Sequence, residues 1–202
     1  MNRIITIGRE FGSGGRELGK LVAEKLGIAY YDGEIVAAIA KRSEMAEHYV
    51  EQVVEQRIMA YYPLTVGNTL SMINQDFSVN QSIYTAQTEI IQEMAQKSDC
   101  VIVGRCADHI LAEMHPLRIF VYADMAARVA RCRARGEKGN GGQTDRELEK
   151  RIRAVDKSRA QYYRLYTGQE WAARGNYDLC VNTSSMPITK LADVVAAFAT
   201  VE

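Results

Sequence analysis

The sequence predicts an α/β fold in three layers, a parallel sheet with helices on both faces. Two observations lead there. Short β-branched or apolar runs (RIITI at 3–7, CVIV at 100–103, LRIFVY at 117–122) alternate with stretches of helical periodicity, as parallel crossover units do. A glycine-rich loop joins the first run to the first helix, with four glycines among Gly8–Gly15. The 202 residues suit a single domain over 1–202, large enough to bury a core without disulfides.

Each element has its own signal. Arg3–Ile7 is a buried-strand run that ends at Gly8. Glu17–Leu26 carries Leu18, Leu21, Val22 and Leu26 at helical spacing, and Gly27 supplies the stop. Ile28–Tyr31 is a second strand, ending at Asp32. From Glu34 to Lys97 the pattern is mostly helical, with breaks expected near Pro63–Asn68 and Asp76–Asn80; it is long for a simple crossover and has the look of an insert. Cys100–Val103 and Leu117–Tyr122 are the third and fourth strands, and a helix over Asp124–Arg133 follows. Arg135–Thr144 is glycine-rich and charged, and a mobile loop is expected there. Thr144 and Glu147 have capping-box spacing, so a helix should start there and run to about Tyr163. Tyr177–Val181 is a fifth strand and Ile188–Thr200 a final helix.

Composition narrows the function. Twenty-five Lys+Arg balance twenty-five Asp+Glu, which disfavours a non-specific nucleic-acid binder that relies on a basic surface. No stretch approaches the ~18 apolar residues of a membrane span, and the N-terminus enters a strand pattern without a signal-peptide h-region. Cys100, Cys106, Cys132 and Cys180 form no CxxC pair and no zinc-spaced cluster with histidine. Reduced thiols and a cytoplasmic location are the expectation. His48, His109 and His115 stand apart from any serine or cysteine motif, so no hydrolase triad is assigned.

Three segments could carry chemistry. Gly12, Ser13, Gly14, Gly15, Arg16 and Glu17 form a glycine loop running into a helix. Such a loop wraps phosphate with backbone N–H groups, and the helix adds its positive N-terminal end. A tight strand-to-helix turn is the bland alternative. The loop departs from GxxxxGK[ST]: with Gly15 as second glycine, Arg16 holds the lysine position and Glu17 the Ser/Thr position. Arg16 can still offer forked charge to phosphate, with Arg9 as a second source. A dinucleotide-binding reading also competes, since Gly12-x-Gly14 follows a strand and Asp32 lies about 20 residues on. Its third glycine position is Glu17, however, a poor fit for helix packing or pyrophosphate.

Gly104-Arg105 directly follows a strand expected to be parallel, where a cation faces the ligand crevice; a surface arginine is the alternative. Asp32 ends the second strand in the same way, with a helix N-cap as its alternative. Arg153, Asp156 and Arg159 form an RxxDxxR run on one broad helix face. Two guanidiniums there could clamp a transferring phosphoryl group, with Asp156 holding them, although a solvated charged face has the same spacing. Tyr162, Tyr163, Tyr166 and Trp171 follow, able to stack on a base or to pack the helix. Arg128, Arg131, Arg133 and Arg135 read as mostly surface charge.

ITIGREFGSGGRELGKLVAEKLGIAYYD, CVIVGRCADHIL and YDLCVNTS resemble the cytidylate kinase-like proteins, relatives of the P-loop nucleoside monophosphate kinases. The resemblance spans nearly the whole chain. It implies a P-loop kinase fold, with 34–97 as a helical acceptor-binding insert and 133–166 as the lid region. It further implies that ATP and Mg²⁺ serve transfer to a nucleoside monophosphate, with CMP or dCMP foremost. Small nucleotides would then be the partners, without nucleic acid or membrane. Arg16, Arg153, Asp156 and Arg159 would be catalytic, Asp32 and Arg105 would hold the acceptor, and Asn182, Thr183 and Ser184 would lie near the donor adenine. No protein ligand for the metal is named. A kinase of another small metabolite, or a nucleotide-binding regulator without turnover, are the rival readings; the missing lysine motivates the second.

Overall fold

All five expected strands form in the computed structural model, which describes residues 2–43, 69–135 and 143–201. Strand β1 (Ile4–Arg9) leads through the glycine loop into helix α1 (Gly15–Leu26), and β2 (Ala29–Tyr31) follows. Helices α2 (Gly33–Ser43) and α3 (Thr69–Lys97) precede β3 (Cys100–Val103). The short α4 (Ala107–Ile110) leads to β4 (Leu117–Tyr122), and α5 (Met125–Ala134) comes next. The long α6 (Asp145–Thr167), β5 (Leu179–Asn182) and α7 (Ile188–Phe198) complete the chain.

The strands pair in the order β2-β3-β1-β4-β5, all parallel. Because side chains alternate across a strand, β1 and its neighbours supply two cores. Ile5, Ile7, Val101, Val103, Ile119 and Val121 meet Leu18 and Val22 of α1 and Ala192 and Val195 of α7. On the opposite face Ile4, Cys100 and Ile102 share a core with α2 and α3 residues and with Tyr162 and Tyr163 of α6. Each fully buried isoleucine stabilises the fold by about 1.5–3 kcal/mol. A third, smaller core joins α5 to α6 through Val129, Cys132, Leu148 and Ile152, with Phe11 packed on it.

Helix ends follow local chemistry. The capping box forms: the Thr144 N–H donates to Glu147 Oε2 at 2.8 Å, and the Glu147 N–H reaches Thr144 Oγ1 at 3.4 Å. Gly27 stops α1 in the left-handed conformation, with φ +65°. Helix α1 starts at Gly15, two residues before the expected Glu17, because the left-handed Gly14 ends the loop there. Helix α6 continues past Tyr163 to Thr167, since Tyr162, Tyr163 and Tyr166 are held against the second core.

The break expected at Asp76–Asn80 does not occur. Asp, Ser and Asn cost a helix well under about 1 kcal/mol each, too little to interrupt a 29-residue helix without glycine or proline. The break expected near Pro63–Asn68 and most of the loop expected at Arg135–Thr144 lie outside the described residues. No helix among the described residues is long and apolar enough to cross a membrane.

The far end of the sheet is held by Arg118 and Asp178. The Arg118 N–H donates to Asp178 Oδ2 at 2.8 Å, and its guanidinium reaches both carboxylate oxygens. The hydrogen bonds from Arg118 hold the Asp178 carboxyl below the usual carboxylate range. A depressed folded-state value stabilises the protein above the unfolded value of about 3.9 and is lost as pH falls through the folded value. Asp178→Asn should therefore lower unfolding free energy by about 1 kcal/mol at neutral pH, given a half-exposed pair. That deficit should shrink as pH falls through the folded-state value of Asp178, as denaturant titrations across pH would show.

Candidate functional site

The order β3-β1-β4 puts the loops after β1 and β3 side by side at the carboxyl ends of the strands, where open α/β sheets bind ligands. Two adjoining pockets open there, and two shared lining residues make them the halves of one crevice. Its first half is lined by Arg9, Gly12, Gly14, Gly15, Arg16 and Arg135. Its second half is lined by Arg105, Asp108, Tyr162, Tyr163, Trp171 and Tyr177. Arg9 and Arg159 line both halves.

The first half has the makings of an anion cradle in its glycine backbone and its cations. Gly12 and Gly14 take φ values of +77° and +83°, which glycine adopts without steric cost. The chain then turns directly into α1, whose first-turn amides have no intrahelical acceptors. Those amides belong to Gly15, Arg16 and Glu17. Ser13 is fully buried and shapes the loop: its N–H and its hydroxyl both donate to Glu10 O, at 3.3 and 2.9 Å. Thr183, also fully buried, donates from Oγ1 to Ser13 O at 2.6 Å, tying the loop to the end of β5. Arg131 bridges Gly12 O and Thr183 O. Burial, with Arg135 nearby, lowers the Arg131 pKa.

The second half is built on a strained turn. Gly104, Arg105 and Cys106 lie consecutively in the left-handed region, with φ +74°, +63° and +55°. For the two non-glycine residues this costs about 1–2 kcal/mol each, and such strain concentrates at functional sites. The Arg9 guanidinium sits where a side chain on Gly104 would go: a Cβ there would lie 1.6 Å from Arg9 Nη1, so Arg9 would have to move. The turn is braced from α3 by Gln87, which is fully buried. Its Nε2 donates to Arg105 O at 2.9 Å, and its Oε1 accepts from the Tyr162 hydroxyl at 3.2 Å. The Tyr163 hydroxyl donates to Asp108 Oδ2 at 2.7 Å. Burial pushes the Asp108 carboxyl and both tyrosine hydroxyls upward. It raises the Cys106 thiol too, which makes an inert sulfur.

The expected residues divide by this geometry. Gly12, Gly14, Gly15 and Arg16 come together in the crevice with Arg9 and Arg159. Asp32 is buried and faces cations: Arg16 Nε lies 2.8 Å from Oδ2, and Arg9 Nη2 lies 3.8 Å from Oδ1. Arg159 donates to Arg9 O at 3.2 Å and lies over the Phe11 ring at 5.6 Å. Glu17 turns its carboxylate to Arg135 at 2.9 Å, so it meets the loop through its N–H alone. Arg105 is largely buried and lines the second half of the crevice.

Arg153 is not brought to the site. Its side chain is 69% exposed and reaches Glu149 at 3.8 Å. Asp156 accordingly does not hold a pair of flanking arginines as expected; it pairs with Arg128 and accepts the Phe11 N–H at 2.8 Å. Asn182 Oδ1 accepts from the Ser184 N–H and hydroxyl, and the Ser184 hydroxyl accepts from the Asp124 N–H. These contacts fix the loop after β5, with Thr183 facing inward.

Sequence reading missed Arg128, Gln87 and Asp108. The first two had a signal. Arg128 shares the stripe Met125, Val129, Cys132, and Gln87 shares the stripe Ile83, Ile90, Ile91. A polar residue inside an apolar helical stripe is buried with a partner. The dinucleotide-binding reading fails on topology, because β3 separates β1 from β2, whereas that fold pairs them.

Sheet order, glycine loop and two-part crevice define an α/β protein of the P-loop kinase fold. The sequence matches the cytidylate kinase-like family over residues 4–185, and the chain belongs to that family, among the small-molecule kinases. No curated sequence matches it. Among solved structures, an uncharacterized protein from Eubacterium ventriosum is similar at 23% identity and TM-score 0.69, over 99% of each chain. Shikimate kinase from Bacteroides thetaiotaomicron matches at 15% identity and TM-score 0.59, over 100% of each chain. Shikimate kinase from Acinetobacter baumannii, in complex with shikimate, matches at 14% and 0.54, covering 98% of this chain and 92% of its own. These likenesses share the fold.

Gln87→Leu should leave the Arg105 carbonyl and the Tyr162 hydroxyl without a buried partner. The expected loss is about 2–6 kcal/mol, at about 1–3 per orphaned group. Tyr162→Phe should cost less in the Gln87→Leu background than alone, which a double-mutant cycle of denaturant unfolding would measure.

Proposed function

We propose that the chain transfers the γ-phosphoryl group of ATP to a nucleoside monophosphate, with CMP or dCMP as acceptor. The observation that carries this reading is the division of one crevice by Arg9 and Arg159 into an anion cradle and an aromatic half. A phosphoryl group crossing between two substrates would pass these cations. The first-turn amides of α1 would hold the donor phosphates, together with Arg16. Arg9, Arg16 and Arg159 would neutralise charge on the transferred group, and positioning with charge neutralisation is most of what this chemistry needs. An acceptor phosphate oxygen attacks the γ-phosphorus, the bond to the β–γ bridging oxygen breaks, and ADP leaves. Arg105 and the Tyr162–Trp171 aromatics would orient the acceptor. Asp32 would aim Arg9 and Arg16.

Mg²⁺ fits this cradle through the donor phosphates. The described residues hold no group of three His, Cys, Asp or Glu side chains able to bind a metal, so donor phosphate oxygens and water would supply most of its shell. We place the protein in the cytoplasm, in keeping with its four free thiols.

A second reading rests on Arg16, whose guanidinium is engaged by Asp32 at 2.8 Å in a loop without the usual lysine. A regulator that binds ATP without turnover would tolerate that arrangement. A coupled ADP-release assay with ATP and Mg²⁺ decides, run against CMP, dCMP, UMP, AMP, GMP and a panel of sugars and carboxylate metabolites, with products identified by mass. Transfer to CMP or dCMP is the expected result. Transfer only to a metabolite would replace the acceptor, and ATP binding without transfer would favour the regulator. Arg159→Ala should slow transfer at least tenfold, about 1.4 kcal/mol; an unchanged rate would remove Arg159 from the mechanism.

A further inference from the structure

Behind the glycine loop lies a cluster of one buried cation and two partly buried carboxylates. Arg128 on α5 is 5% exposed. Its Nη1 lies 3.2 Å from Glu10 Oε2, and its Nη2 pairs with the Asp156 carboxylate on α6. Its Nε donates to the Phe11 carbonyl at 2.7 Å. The other oxygen of Asp156 accepts the Phe11 N–H at 2.8 Å. Both main-chain groups of Phe11 are thus held by one ion pair whose members come from two different helices. Glu10 Oε2 also accepts the Ala123 N–H at 3.1 Å.

Stability alone is a poor explanation for this cluster. A buried ion pair often stabilises no better than apolar side chains of the same volume. Two carboxylates here share one guanidinium, and burial pushes the Glu10 carboxyl upward. What the cluster supplies is position. Phe11 precedes Gly12 and the left-handed Gly14, which have no side chains of their own to anchor the loop.

We propose that Arg128 is a positioning residue for the phosphate loop, and that the Arg128–Asp156 pair couples the loop's shape to α6. The proposal rests on the reading that this loop holds donor phosphates. Asp156 and Arg159 lie one turn apart on α6, so the helix that holds Phe11 also delivers Arg159 to the crevice. The arrangement that sets the cradle and the one that places the bridging cation are the same.

The test compares Arg128→Met, Arg128→Lys and Asp156→Asn with the unaltered protein. Two quantities are read: backbone hydrogen exchange in the free protein, and ATP affinity with Mg²⁺ by calorimetry. Arg128→Met should speed exchange across Phe11–Gly15 at least tenfold while the β1 and β3 amides stay within twofold. It should weaken ATP binding at least tenfold. Arg128→Lys, which keeps charge but not the fork, should restore part of each. Asp156→Asn conserves side-chain shape, keeps the question open to measurement if Arg128→Met does not fold, and should shift both quantities at least threefold. Unchanged loop exchange would overturn the proposal, as would faster exchange spread evenly through the sheet. If the unaltered protein binds no ATP, the phosphate reading fails, while loop exchange still decides whether Arg128 positions the loop.

Discussion

Strand β1 lies between β3 and β4 and is covered by helices on both faces, so its carboxyl end is one of the most constrained points in the chain. Ile5 and Ile7 are fully buried, and the register with Val101 and Val103 is set by parallel pairing. That placement fixes where the glycine loop begins and sets it beside the turn after β3. A parallel sheet of this order brings two loops together that are about 90 residues apart in sequence. The crevice follows from strand order before any side chain in it is considered.

Charge then decides what the crevice can hold. Arg9, Arg105 and Arg128 are all buried, and a buried guanidinium persists only where polar groups receive its donors. Asp32 faces Arg9 and Arg16, while Glu10 and Asp156 face Arg128. These contacts hold the cations in place before a ligand arrives, which is the condition under which fixed charge stabilises a transition state at least reorganisation cost. The same Asp32 that orients Arg16 also competes with phosphate for it. On the proposed function, a donor phosphate entering the cradle would have to draw Arg16 partly from its carboxylate.

The fold was legible because it rests on local signals. Strand runs, the glycine loop, the Gly27 stop and the Thr144–Glu147 capping box are written in neighbouring residues. The site was legible only in part. In the RxxDxxR run, three-residue spacing turns each member about 60° from the last on a helix of 3.6 residues per turn. Asp156 and Arg159 continue the buried stripe of Ile152, whereas Arg153 lies off it, in solvent. Arg128 was read as surface because three arginines crowd one short helix and a fourth follows it, and its burial depends on Asp156, 28 residues away. Gln87 depends likewise on Tyr162, 75 residues away. Partners at such separations leave only an indirect trace, the polar residue set within an apolar stripe.

Helix α6 links these parts. Ile152 anchors it to the small core with α5, and Asp156 holds the main chain of Phe11. Arg159, one turn on, reaches Arg9 at the middle of the crevice. Tyr162 and Tyr163 then line the second half, where they brace Gln87 and Asp108, and Tyr166 stacks on Tyr84 of α3 with centroids 3.9 Å apart. Successive turns of one rigid rod thus contact the cradle, the boundary and the aromatic half in order. A packed helix moves as a unit rather than bending at each contact, so a displacement at either end is felt at the other. On the proposed function, a helix that touches both halves would tie occupancy of one to the geometry of the other, which an enzyme joining two substrates needs if transfer to water is to be avoided.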